Sequence, residues 1–160
     1  MDAIVLFLER PATRGLIETA SHRAGDAVRV EDRAPLDVAR RANDALANEV
    51  RKRPDRFQGF AALPLQDPDA AAKELRRCVK ELGFPGALVN GFTQKDVSDS
   101  VIYYDLPQYR PFWEVVHDLD APFYLHPRNP LPGQAKIYEG HRWLLGPTWA
   151  FAQETAVHAL

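Results

Sequence analysis

Short apolar runs alternate with helical periodicity along this chain, and that alternation limits the fold more than any other feature. The runs occupy residues 3–8, 57–63, 87–89 and 122–125, each short enough for a buried strand. Between them, 35–53 carries Leu36, Ala39, Ala42, Leu46 and Val50 at helical spacing, with Pro54 as a stop and a charged, solvated opposite face. A second helix is announced by Asp67-Pro68, an N-cap followed by proline at the first helical position. It carries Ala71, Leu75, Cys78, Val79 and Leu82 on one face and Gly83 just past its end. A third is expected over 108–119, with Phe112, Val116 and Leu119 facing inward, and a fourth from Thr148 onward.

The order β-α-β-α-β-α-β-α predicts a parallel sheet covered by helices, either an open doubly wound sheet or a (β/α)8 barrel. Neither G-x-G-x-x-G nor G-x-x-x-x-G-K-[ST] occurs, so dinucleotide and nucleoside triphosphate sites lack support and the barrel is favoured. Residues 9–34 mix charges and small residues without a sustained period and are expected to be loop-like, with 15–22 able to form a short helix. Residues 129–146, rich in Pro and Gly yet holding Ile137, Tyr138 and Trp143, are expected to form a long ordered loop.

Composition then removes several classes of function. With 46% hydrophobic and 26% charged residues among 160, the chain is an ordinary globular sequence, not a disordered one. A net charge of -2 provides no basic excess for a phosphate backbone, so no nucleic-acid partner is expected. No apolar stretch approaches the roughly 20 residues that span a bilayer, so no membrane partner is expected either. Met1-Asp2 leads straight into the first apolar run without a basic region, and Cys78 is the single cysteine. Together these point to a cytoplasmic protein without disulfides.

Ligands in parallel α/β folds gather at the carboxyl ends of strands, which directs attention to Asn90 and His126. His126 is placed to offer an imidazole to a divalent metal, although by pattern alone a lone strand-end histidine is more often a hydrogen-bonded structural residue than a ligand. Asn90 is placed to bond a substrate oxygen, or to make a turn with Gly91. The other histidines read as solvated or unpartnered: His22, His117 on a polar helix face, His141 in a loop, and His158 four places after Glu154. Cys78 reads as a small buried hydrophobe, and Ser98 and Ser100 lack the context of a serine nucleophile. The aromatic tract Tyr103-Tyr104, Tyr109, Phe112-Trp113 reads as core and loop packing.

Motifs in order carry a resemblance over residues 35–160. They are Ala39-Arg40-Arg41-Ala42-Asn43-Asp44, Arg53-Pro54-Asp55-Arg56-Phe57, Phe60-Ala61-Ala62-Leu63-Pro64-Leu65-Gln66-Asp67-Pro68, Gly86-Ala87-Leu88-Val89-Asn90-Gly91, Tyr124-Leu125-His126-Pro127-Arg128 and Gly146-Pro147-Thr148-Trp149-Ala150-Phe151. With these the chain resembles the amidohydrolase-related, metal-dependent decarboxylases of hydroxybenzoates. The resemblance implies a (β/α)8 barrel that removes carbon dioxide from a small aromatic carboxylate. It implies a divalent ion (zinc, manganese or magnesium), no organic cofactor, and a homo-oligomer. By motif, His126 resembles the family's strand-end metal ligand, Asn90 a substrate-contacting residue and Phe151 a residue lining the aromatic pocket.

The departures define a second set of expectations. The family's first strand carries Glu-x-His, supplying two metal ligands, whereas here the opening strand ends Phe7-Leu8-Glu9-Arg10-Pro11 and so resembles the family's second strand. The later strands that supply a histidine, an arginine and an aspartate have no counterpart before Leu160. A barrel needs about 250 residues. The expectation is therefore one partial amidohydrolase-related domain, with 1–34 divergent and 35–160 carrying family-like βα repeats and no catalytic residue of its own. Two rival expectations are a non-catalytic interaction protein that associates with itself or a longer relative, and a hydrolase of the same superfamily.

Overall fold

The computed structural model describes residues 7–9, 35–93 and 101–127, and in the last part of the chain 134, 136, 139–141, 148–149, 151–153 and 155–156. The elements run β1 (Phe7–Glu9), α1 (Pro35–Lys52), β2 (Phe57–Gly59), α2 (Pro68–Lys80), β3 (Ala87–Asn90), a 3-10 turn (Pro107–Tyr109), α3 (Arg110–Asp118) and β4 (Phe123–His126). Residues 148–149, 151–153 and 155–156 are helical, in line with a fourth helix near Thr148. The expected strand over 3–6, the short helix over 15–22 and most of the long loop over 129–146 lie outside the described residues. The chain forms two compact units, one of Met1–Val89 with Pro107–Tyr124, the other of Asn90–Leu106 with Leu125–Leu160.

In the first unit, α2 follows its sequence signals closely. The Asp67 side chain accepts from Ala70 N at 3.0 Å, satisfying a donor left open by the first turn. Gly83, at φ +74, lets the chain turn back so that Phe84 N–H reaches Cys78 O at 3.0 Å. Ala71, Leu75 and Cys78 are buried as expected. Burial holds the Cys78 thiol well above its ordinary pKa, with the Glu74 carboxylate adding to the effect, so the group is an inert neutral thiol.

The sheet departs from the all-parallel expectation. β1 runs antiparallel to β2, with Phe7 opposite Gly59 and Glu9 opposite Phe57. An apolar run reports that a strand is buried; the direction of its neighbour is set by the connection, which no periodicity encodes. The run expected as a single strand over 57–63 also divides. β2 ends at Gly59, and Ala61 makes a parallel bridge to Ala87, with Ala61 N–H to Gly86 O at 2.9 Å and Leu88 N–H to Ala61 O at 3.2 Å. Ala87 N–H then reaches Pro122 O at 3.0 Å. Ala61, Ala87 and Pro122 thus lie side by side, joined through α2 and α3, as successive strands of a βα-repeat barrel should.

Helix α3 is shorter than the expected 108–119, because 107–109 tightens into the 3-10 turn that feeds it. Tyr109, almost fully buried, donates its hydroxyl to Leu65 O at 2.7 Å. Phe112, Trp113 and Phe123 form a cluster of edge-on rings, with Trp113 and Phe123 centroids 4.7 Å apart.

A buried polar hub ties α1 to α2 and to the chain after β2. Asn43 donates to Ala62 O at 2.9 Å and accepts from Ala62 N at 2.8 Å, pairing with that backbone as a strand would. Its amide also donates to Glu74 Oε1 at 2.9 Å. Glu74, with 0% exposure, accepts from Arg77 at 2.7 and 3.0 Å and from Arg40 at 3.2 Å, while Arg77 reaches Asp44 at 2.8 Å. Desolvation alone would raise the Glu74 pKa, yet the bonds from Arg77, Asn43 and Arg40 and the charge of Arg77 outweigh it and hold it below its ordinary value. A carboxylate with a depressed folded pKa contributes stability at pH values above its unfolded pKa. That contribution disappears as pH falls through the folded value. Acid titration followed by circular dichroism is therefore expected to show a stability loss below the ordinary carboxylate range that is absent in Glu74→Gln.

Candidate active site

The second unit contains all three residues singled out for a site: Asn90, His126 and Phe151. Asn90 ends β3 and His126 ends β4, the two strands paired in one sheet. The ladder is parallel, since Ala87 bonds to Pro122 and Gly91 to His126, partner numbers rising by four together. Two strands that run the same way and stop at the same level bring their last residues to one rim, the position from which βα barrels work.

Gly91 N–H donates to His126 O at 3.0 Å, which joins the two strand ends directly. On the opposite side of the same peptide, the Tyr104 hydroxyl donates to Asn90 O at 2.8 Å. Thr93 pairs with Ile102 in both directions, N–H to O at 3.0 Å and 2.9 Å, folding the segment after β3 back on itself. Phe92 and Tyr103 stack edge-on at 6.0 Å. The Phe151 ring, 50% exposed, stands edge-on to the His126 imidazole with centroids 6.2 Å apart. Asn90 and His126 are half-buried, accessible at the rim while held by the strands beneath.

Among the described residues no group of three or more His, Cys, Asp and Glu side chains could hold a metal ion. One imidazole with an aromatic neighbour is a single donor, whereas a catalytic divalent site takes about three protein ligands. The described residues therefore do not by themselves fit a metal centre. His117, with 92% side-chain exposure, is solvated as expected, and His141, read as a loop residue, is exposed. His22, His158, Ser98 and Ser100 lie outside the described residues. Tyr104 is buried, in agreement with a packing role for the aromatic tract, but its bond to Asn90 has no signature in spacing or composition.

The amidohydrolase family model matches residues 4–159. The chain belongs to the amidohydrolase family. Over 160 residues this amidohydrolase is 71% identical to the gamma-resorcylate decarboxylase of Rhizobium sp. (strain MTP-10005), covering 100% of this chain and 45% of that enzyme. Its fold is similar to a crystal structure of 2,6-dihydroxybenzoate decarboxylase complexed with 2,6-dihydroxybenzoate, at a TM-score of 0.72 and 72% identity. That match covers 78% of this chain and 38% of the other. It is also similar to the dihydroxybenzoic acid decarboxylase of Polaromonas sp. JS666 with bound manganese and 2-nitroresorcinol, at a TM-score of 0.71 and 70% identity, over 78% of this chain and 37% of the other. The chain spans somewhat under half the length of the relatives it matches, and its fold is the corresponding part of the amidohydrolase (β/α)8 barrel.

Proposed function

We propose that this chain supplies one wall of a cytoplasmic, metal-dependent decarboxylase acting on a hydroxybenzoate, with 2,6-dihydroxybenzoate as the first substrate to test. In this reading residues 35–160 carry the site and 1–34 are a divergent segment of the same domain. The observation that carries it is the bond from Gly91 N–H to His126 O, which sets Asn90 and His126 on one rim beside the Phe151 ring. The Asn90 amide is suited to donate to a ring hydroxyl or carboxylate oxygen and so orient the substrate. Phe151 provides an apolar wall, which disfavours a carboxylate and favours its loss as neutral carbon dioxide. The electron pair left on the ring carbon must then take a proton, and none of these three residues is assigned to donate it.

A divalent ion would orient the substrate and stabilise developing charge when bound, with His126 as the one ligand assigned among the described residues. Because one ligand does not make a site, the 160-residue chain is expected to bind manganese weakly and to release little carbon dioxide from 2,6-dihydroxybenzoate. Titration with manganese should show affinity falling about tenfold or more in His126→Ala. Unchanged affinity in that variant would remove His126 from the ligand set, and substantial turnover by the chain alone would overturn the single-wall reading.

A second reading rests on β4. Among the described residues it pairs only with β3, and Tyr124 on it is 49% exposed. A half-exposed aromatic ring on a sheet strand favours association with another copy or a longer relative that would cover it. Light scattering that returns a monodisperse monomer would exclude self-association.

A further inference from the structure

We infer that Tyr104 is a positioning residue for the rim, acting through the peptide that joins Asn90 to Gly91; the inference rests on the functional reading above. That peptide is held at both ends. Its carbonyl accepts from the Tyr104 hydroxyl at 2.8 Å, and its N–H donates to His126 O at 3.0 Å. A peptide is planar, so fixing both its polar atoms fixes its orientation, and with it the backbone angles on which the Asn90 side-chain direction depends. The same peptide sets the spacing of Asn90 from His126, the two strand-end residues assigned to substrate and metal.

Proton accounting makes the arrangement directional. A tyrosine hydroxyl carries one hydrogen, and a carbonyl cannot donate, so that hydrogen is committed to Asn90 O. The 3.3 Å contact between Tyr104 Oη and Thr93 Oγ1 must then be donated by Thr93. The result is a buried chain, Thr93 hydroxyl to Tyr104 hydroxyl to Asn90 carbonyl, and Thr93 is itself anchored by its paired backbone bonds to Ile102. Tyr104 is only 5% exposed, so water does not readily replace its hydroxyl if it is removed. The ring supplies packing and the hydroxyl supplies aim, two roles that Tyr104→Phe separates.

The experiment is a titration of the 160-residue chain with 2,6-dihydroxybenzoate, followed by the His126 imidazole resonances. It compares the wild type with Asn90→Ala, Tyr104→Phe, the double variant and Tyr109→Phe. Tyr109 donates an equally buried hydroxyl to the Leu65 carbonyl, a bond that involves neither Asn90 nor His126, so it reports what loss of such a bond does to stability alone. Tyr104→Phe is expected to weaken binding about three- to tenfold, the range of one hydrogen bond. The double variant should be no weaker than Asn90→Ala, and Tyr109→Phe should bind as the wild type does. Wild-type binding in Tyr104→Phe, additive losses in the double variant, or an equal loss in Tyr109→Phe would each overturn the inference and leave the functional reading standing. No wild-type binding, or an Asn90→Ala variant that binds normally, would overturn the functional reading and the inference with it. If Tyr104→Phe does not fold, Thr93→Val removes the hydroxyl behind it and should weaken binding about twofold; unchanged binding there would overturn the inference.

Discussion

Glu74→Ala is expected to cost about 3–5 kcal/mol of folding stability, the penalty of leaving buried charged and polar partners without their counterpart. Glu74 has no exposure and receives bonds from Asn43, Arg77 and Arg40. The partners differ in what they lose. Arg40, with 51% side-chain exposure, can turn to water, and its exposed pairing is worth little. Arg77, at 19%, and Asn43, fully buried, have no such recourse, and they account for most of the penalty. Urea unfolding should show a lower midpoint with an unchanged slope, and a loss below about 1 kcal/mol would mean that the hub relaxes around the gap.

Gly86→Ala is expected to cost about 3 kcal/mol for a different reason, the collision of backbone with backbone. A Cβ at Gly86 would overlap Pro122 O and stand 2.9 Å from Pro122 C and 3.1 Å from Pro122 N. Pro122 O is also the acceptor for Ala87 N–H, so relief requires the chain before β4 to move off β3. A side chain could rotate away, but a peptide in a ladder cannot. Gly83→Ala is the instructive contrast: nothing lies within 4 Å there, and the penalty is only that of a positive φ, about 1 kcal/mol. Thermal melts of the two variants should separate them clearly, and equal losses would refute the close-approach argument.

What could be read from residue order was what local chemistry decides. The start of α2 is legible because Asp67 and Pro68 act within one turn, and its end because Gly83 takes a conformation that other residues avoid. Asn90 and His126 are legible as strand ends for the same reason. That their backbones bond across neighbouring strands depends on register, which residue order leaves open. The antiparallel direction of β1 was hidden likewise. Asn43 and Glu74 were hidden by their polarity, which reads as a solvated face. Their phase was the available signal: Asn43 lies four residues after Ala39 and three before Leu46, and Glu74 lies four after Ala70 and four before Cys78, all of them buried.

The pairing of Asn43 with both polar atoms of Ala62 has a consequence for how this unit assembles. A helix side chain occupies the place that a neighbouring strand would otherwise take, so the backbone at Ala62 has no fixed partner until α1 has docked. Since the same side chain also bonds Glu74, docking of α2 is drawn into the same event. Two helices and the segment between β2 and α2 therefore order together as one cooperative unit, and the chain entering α2 inherits its path from a residue 19 positions earlier.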